Sequence, residues 1–183
     1  MRVIAGTLKG RRLDAPTWEG LRPTSDKLRE TLFNVLAPRI EGARVLDLYA
    51  GTGAIGIEAL SRGAAAVTFV ESDRRAQALI AENLSRCGVE GGYAIIRAAA
   101  ARAVETLGAS PTFVPFDIIL LDPPYEQPAA SALAGLDRLL SPDGVLVLEH
   151  ARRADTPLTS GALTRTRHLR AGDSALSFYT CPR

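Results

Sequence analysis

The chain has 183 residues, 46% hydrophobic and 23% charged, the make-up of one globular domain and not of a disordered or fibrous chain. Such a length buries roughly 70% of the unfolded surface, so the core needs no metal or disulfide to hold it. The net charge of +2 conceals a pattern: residues 1–40 carry +4, residues 41–149 carry −6 and residues 150–183 carry +4. Two basic ends flanking an acidic middle suggest either a polyanion partner at the termini or solvated arginine-rich faces.

Along the chain, residues 1–15 read as a short hairpin turning at Gly6-Thr7, with Lys9, Arg11 and Arg12 on its return limb. Thr24 or Ser25 can cap a helix whose Leu28, Leu32, Val35 and Leu36 fall on one face, and Pro38 is expected to stop it. From Arg44 the pattern alternates: strand 44–49, helix 54–62, strand 65–71, helix 73–87, strand 93–97 and helix 99–107. Strand 116–121, helix 129–140 and strand 144–149 follow. Continuous apolar strands alternating with amphipathic helices argue for a mostly parallel sheet covered on both faces. Residues 162–169 and 174–180, joined at Gly172-Asp173, read as a terminal antiparallel hairpin. The expectation is an α/β layer sandwich with a small basic appendage at its N-terminus.

Cys87 and Cys181 match neither a disulfide framework nor a C-x-x-C pair, and His150 and His168 have no metal-ligand spacing. No metal site is expected. No apolar stretch approaches the ~18 residues of a membrane span, and Met1 to Gly6 hold no signal-peptide core. A soluble cytoplasmic protein, monomeric and without membrane association, is the expectation.

The first chemical signal is Val45-Leu46-Asp47-Leu48-Tyr49-Ala50-Gly51-Thr52-Gly53-Ala54-Ile55-Gly56. It sets G-x-G-x-x-G after a strand and at the start of a helix, the context of a nucleoside-bearing cofactor. Gly51 and Gly53 let backbone approach a ligand, and Gly56 lets the helix pack closely on a strand. Glu71 ends the next strand, where a carboxylate can accept from ribose hydroxyls. Asp47 points an anion towards the loop, which opposes a pyrophosphate and suits the ammonium of a methionine moiety. The only lysines are Lys9 and Lys27, upstream of the loop, so no Tyr-x-x-x-Lys dehydrogenase pair exists. A P-loop is excluded by the absence of Gly-Lys-Ser/Thr.

The second signal is Asp122-Pro123-Pro124-Tyr125 at the carboxyl end of the apolar strand Phe116 to Leu121. This strand is expected beside the glycine-loop strand, which brings Asp122 close to the cofactor. Two prolines remove two donors and leave carbonyls free to accept. The Asp122 carboxylate and Pro123 carbonyl then make an acceptor pair for a planar NH₂ group. Gripping both hydrogens of a nucleobase amine favours a pyramidal nitrogen and stabilises the charge that grows as it attacks a sulfonium methyl. Tyr125 can stack on the target base.

These motifs resemble the S-adenosylmethionine-dependent methyltransferases that modify amino nitrogens. Further segments are similar to the RsmD family: Arg2-Val3-Ile4-Ala5-Gly6, Lys9-Gly10-Arg11-Arg12-Leu13, and Arg22-Pro23-Thr24-Ser25-Asp26-Lys27-Leu28-Arg29-Glu30-Thr31-Leu32-Phe33-Asn34. Gly56-Ile57-Glu58-Ala59-Leu60-Ser61-Arg62-Gly63-Ala64 and Phe69-Val70-Glu71-Ser72-Asp73 extend the match over about residues 1–180. The resemblance implies a Rossmann-like class I methyltransferase fold with a mostly parallel seven-stranded sheet, and methylation of guanine N2 in 16S ribosomal RNA. It implies cofactor contacts at Asp47, Tyr49, Gly51, Thr52, Gly53, Glu71 and Ser72, and amine recognition by Asp122, Pro123 and Tyr125. The acid that often follows the third strand in this fold is missing from Arg97-Ala98-Ala99-Ala100, so backbone near Ala99 is left to meet the adenine.

On this reading residues 1–40 form an RNA-contacting extension and residues 41–183 the catalytic domain. Arg2, Lys9, Arg11 and Arg12 are the candidate phosphate contacts, with Arg22 and Thr24 at the mouth of the site. The partner is 16S rRNA or a small-subunit particle. Competing readings are an amino-methyltransferase of DNA adenine or protein glutamine, a non-catalytic rRNA-binding assembly factor, and a nicotinamide oxidoreductase, the last disfavoured by Asp47 and the missing lysine.

Overall fold

A computed structural model describes residues 1–18 and 25–182. Five strands, β1 (Arg44–Leu48), β2 (Ala66–Glu71), β3 (Tyr93–Arg97), β4 (Phe116–Leu121) and β5 (Leu140–Ala151), run parallel in the order β3-β2-β1-β4-β5. The sheet continues antiparallel through β8 (Ser174–Thr180), β7 (Leu163–Ala171) and β6 (Thr159–Ser160). The mostly parallel sheet with a terminal hairpin is as expected, and the two-residue β6 adds an eighth strand to the seven. The order reverses between β1 and β4, which places the carboxyl ends of those two strands side by side.

Each strand serves two cores because side chains alternate between faces. Val45, Phe69, Ile118, Leu120, Val145 and Val147 face α1 (Asp26–Ile40) and α2 (Ala54–Ser61), joined by Phe33 and Ile57. Leu46, Leu48, Val70, Ile119, Leu121 and Leu146 face the other way, over the α4 (Ala100–Gly108) and α5 (Ala129–Leu133) side. The helix α3 (Arg74–Arg86) adds Ile80 and Leu84 to the first core.

Several expectations shift. Ser25 caps α1, its Oγ accepting from Leu28 N at 3.2 Å, but Pro38 lies inside the helix, which runs on to Ile40. So near the C-terminus, a proline removes one last-turn hydrogen bond and the helix survives it. The helix expected over 129–140 stops at Leu133; Gly135 takes φ +74°, and only a 3-10 turn at Leu136–Arg138 follows. The Asp137 carboxylate accepts from Ala162 N at 3.1 Å, tying this turn to the start of β7. Strand β5 begins at Leu140, not 144, because Leu140 pairs with Phe116 before a bulge.

The hairpin expected over 1–15 is present in short form: Arg2 and Arg12 form an antiparallel bridge, Val3 N donates to Arg11 O at 3.0 Å, Gly10 N to Val3 O at 2.9 Å and Leu13 N to Met1 O at 3.0 Å. The body of the protein holds it as well. Ile4 N and Ala5 N donate to the Glu58 carboxylate at 2.7 and 3.0 Å, and Thr7 N donates to Ser61 O at 2.7 Å. Asp14 is fixed to α3 through Asn83, and Val3 and Leu13 are buried in the α1–α2 core. His150 and His168, far apart in the chain, meet on one face where both ring nitrogens approach Ser177 Oγ, at 2.9 and 3.1 Å. Among the described residues no helix is long and apolar enough to cross a membrane.

Candidate active site

Alternation along four neighbouring strands sets one carboxylate from each at the carboxyl edge of the sheet, all on the α1–α2 face. Asp47 shares parity with Val45, Glu71 with Phe69, Asp122 with Leu120, and Glu149 with Val147. The registers Leu48–Val70, Leu48–Leu121 and Leu121–Leu148 bring these ends level. Asp47, Asp122 and Glu149 line one narrow cleft with Leu32, Ile55 and Val147, its volume about 10 Å³, room for one water.

Asp47 is only 3% exposed and accepts from Gly56 N at 3.0 Å, at the start of α2. Burial pushes its carboxyl up from the ordinary 3.8 to about 7; the Gly56 amide opposes this, while repulsion from Asp122 and Glu71 adds to it. Glu71 sits across the loop: one oxygen accepts from Gly51 N at 3.0 Å and the other from Asp73 N at 2.9 Å. The loop between them turns left-handed at Tyr49, Gly51 and Gly53, with φ +62°, +56° and +76°. A non-glycine residue there is uncommon; Tyr49 is held by Gln127, whose Nε2 donates to its hydroxyl at 2.8 Å. At Gly56 an added Cβ would lie 2.2 Å from Phe69 Cε1, so the close helix–strand contact read from the sequence is present.

Asp122 is half-buried and Pro123 buried immediately past β4, while the Tyr125 ring is 45% exposed. The Tyr125 hydroxyl lies 3.2 Å from Ser174 Oγ, bridging this turn to the β7–β8 turn. A roomier cavity of about 260 Å³ opens on the opposite face, walled by Tyr49, Gln127, Ala100, Val104, Ser131 and Arg138. Thr52 is buried in the loop, and Ser72 follows β2 with its hydroxyl 3.5 Å from Glu71 Oε1. Ala99 is the N-cap of α4 and offers no side-chain cap. Arg2, Lys9, Arg11 and Arg12 are all exposed. Arg22 and Thr24 lie outside the described residues.

Three buried groups that the sequence reading did not single out, Glu58, Arg29 and Asn83, hold this arrangement together, and a fourth lines the cleft. Glu58 and Arg29 are both fully buried, 3.9 Å apart, and Arg62 Nε donates to Glu58 at 2.8 Å. Arg29 Nη2 also donates to Arg2 O at 2.9 Å. The buried Asn83 uses its whole amide: Oδ1 accepts from Asp14 N at 2.7 Å, and Nδ2 donates to Asp14 O at 3.2 Å and Thr52 O at 3.0 Å. It thereby joins the basic N-terminal segment to the glycine loop. Glu149 is the fourth, and strand parity marks it, since it ends an apolar strand two residues beyond Val147.

The family model described as conserved hypothetical protein 95 matches residues 1–180. The chain belongs to that family. A Haemophilus influenzae member named ribosomal RNA small subunit methyltransferase D is 36% identical over 163 residues, covering 86% of this chain and 81% of that one. This is the RsmD family that the motifs resemble. The Bacillus subtilis protein YlbH is 39% identical over 182 residues, 98% of both chains. The solved structure of Escherichia coli yhhF superposes with a TM-score of 0.82 at 33% identity, over 100% of this chain and 99% of that one. The fold is therefore the Rossmann-like class I methyltransferase fold, and RsmD-family membership extends through the N-terminal segment as well as the sheet.

Proposed function

We propose that this chain transfers a methyl group from S-adenosylmethionine to the exocyclic N2 amine of a guanine in small-subunit ribosomal RNA. Methyl transfer to rRNA is the activity named for its Haemophilus relative. The observation that carries the finer reading is the Asp122-Pro123 turn, one step past the Leu48–Leu121 pair and so level with the glycine loop.

The donor set fits such a cofactor. Asp47 and Glu71 ring the loop with negative charge and buried Asp47 gains from a cation, whereas a pyrophosphate would meet repulsion. Asp47 would face the ammonium tail, Glu71 the ribose, and backbone from Tyr49 to Gly53 the rest, with Ser72 and Ala99 towards the adenine. When bound, the cofactor supplies a methyl on a positively charged sulfur.

The chain's own residues do the remaining work. Asp122 and the Pro123 carbonyl accept the two N–H bonds of the amine, turning its lone pair out of the ring plane and towards the methyl. The positive charge that would grow on that nitrogen as it accepts the methyl would lie beside the Asp122 carboxylate, placed in advance. The excess proton then leaves to solvent. Tyr125, held by Ser174, stacks on the base, a contact worth ~1–3 kcal/mol. Residues 1–40 form the RNA-contacting extension of a catalytic unit at 41–183, gripping phosphates through Arg2, Lys9, Arg11 and Arg12. Arg2 and Arg12 stand opposite each other in the bridge, a repulsive pair that a polyanion relieves. The chain acts as a cytoplasmic monomer without a metal.

The test is labelled methyl transfer to small-subunit particles and naked 16S rRNA, with the modified nucleoside identified by mass. N2-methylguanosine is the expected product, lost in Asp122→Ala while cofactor binding persists. Label in DNA or protein alone, or wild-type turnover by Asp122→Ala, rejects the reading.

A further inference from the structure

We propose that Arg152, Arg153 and Arg170 form a second phosphate-binding rim, on the side of the mouth away from the basic N-terminal segment. The inference rests on the rRNA reading above and extends it to the C-terminal charge. Strands β4 and β5 run parallel and level at Leu121–Leu148, so the residues after Ala151 emerge beside the Asp122 turn. At ~3.3 Å per residue Arg152 stands about 10 Å beyond Glu149, which lines the Asp122 cleft.

Two contacts tie that corner to the base-stacking residue. Arg152 N donates to Asp173 O at 2.8 Å, and the next residue, Ser174, meets the Tyr125 hydroxyl at 3.2 Å. Arg170 flanks the same turn, paired with Ala175 one step before the closing Ala171–Ser174 pair. The three guanidinium-bearing residues are exposed, and none joins an ion pair with a described carboxylate. Asp155 and Asp173 nearby leave the rim net positive.

The remaining C-terminal arginines divide by contact. Arg165 is used internally, its Nη1 donating to Thr156 O at 2.9 Å. Arg167 pairs with Phe178, three residues further from the β7–β8 turn than Arg170. Among the described C-terminal arginines, Arg152, Arg153 and Arg170 are the exposed ones gathered at the corner around Tyr125. A loop base stacked on Tyr125 then has its 5′ and 3′ phosphates running towards opposite basic rims, which holds the splayed nucleotide from both sides.

The experiment measures binding of the full chain to naked 16S rRNA across a fourfold range of potassium chloride, for wild type, Arg152→Gln/Arg153→Gln and Arg39→Gln. Arg39 is an exposed arginine in the last turn of α1, next to the amino end of β1, and controls for bulk charge. Each single-strand phosphate contact contributes a slope of ~0.7, so the double variant should lower the slope by about 1.4. Wild type then loses about 7-fold more affinity than the variant over that range. Cofactor affinity by calorimetry should be unchanged. An unchanged slope, or an equal change in Arg39→Gln, overturns the rim whether or not the wild type methylates rRNA. Wild-type rRNA binding with no methyl transfer counts instead against the methyltransferase reading.

Discussion

Replacing Asp47 by Asn tests the electrostatics of the site most directly. The side chain is fully buried, and its carboxyl is held near 7 instead of the ordinary 3.8. At about 1.4 kcal/mol per pH unit this corresponds to about 4 kcal/mol between the two protonation states. The folded state binds the proton more tightly than the unfolded chain does. The wild type therefore has its full Asp47 contribution below about pH 4, loses it as pH rises to about 7, and changes no further above that. Asn keeps an oxygen for Gly56 N and does not titrate, and its NH₂ faces Asp122 and Glu71. Urea unfolding of both proteins from about pH 4 to about pH 9 should show the variant gaining about 4 kcal/mol on the wild type across the interval. A difference that stays flat with pH means that Asp47 ionises normally in the folded protein, and the reasoning fails. The same carboxylate should couple to the cofactor: wild-type affinity falls as pH drops below about 7, and this dependence disappears in Asp47→Asn.

Gly56→Ala places a Cβ 2.2 Å from Phe69 and 2.9 Å from Val67, so thermal unfolding should show about 1–3 kcal/mol lost or more. Glu58→Ala removes the acceptor of Ile4 N and Ala5 N and leaves Arg29 in the interior with less compensation; about 3–5 kcal/mol should be lost in denaturant unfolding. A loss below about 1 kcal/mol would show that water reaches Arg29. Asn83→Leu strips the Thr52 and Asp14 carbonyls of their donor, and calorimetry should show weaker cofactor binding in a protein that still folds; unchanged affinity would separate the N-terminal anchor from the loop.

The elements with local causes were readable in the sequence. A glycine loop between a strand and a helix needs only neighbours to define it, and Gly51, Gly53 and Gly56 take the turn and the close contact that their spacing implies. Alternating parallel units and the terminal hairpin follow from periods of 3.6 and 2, which are properties of short windows. The Asp122-Pro123-Pro124-Tyr125 turn was equally plain, because prolines leave few backbone choices. Where competing forces acted, local reading fell short. Pro38 was tolerated in a last turn anchored by buried Leu36 and Ile40, and the left-handed Gly135 follows the end of the helix expected over 129–140.

Tertiary structure alone decided how the basic ends relate to the acidic middle. The −6 of residues 41–149 includes Glu58, whose carboxylate holds the N-terminal segment in place from 53 and 54 residues away. Asn83 reaches 69 residues back to Asp14 and 31 back to Thr52. No window of sequence contains such pairs, because they form only when α1, α2 and α3 pack on one face of the sheet. Composition determined that positive ends flank a negative centre. The order β1-β4-β5 determined that Asp47, Asp122 and Glu149 face the same cleft, and the antiparallel return of β8 along β5 set Arg152 against Asp173.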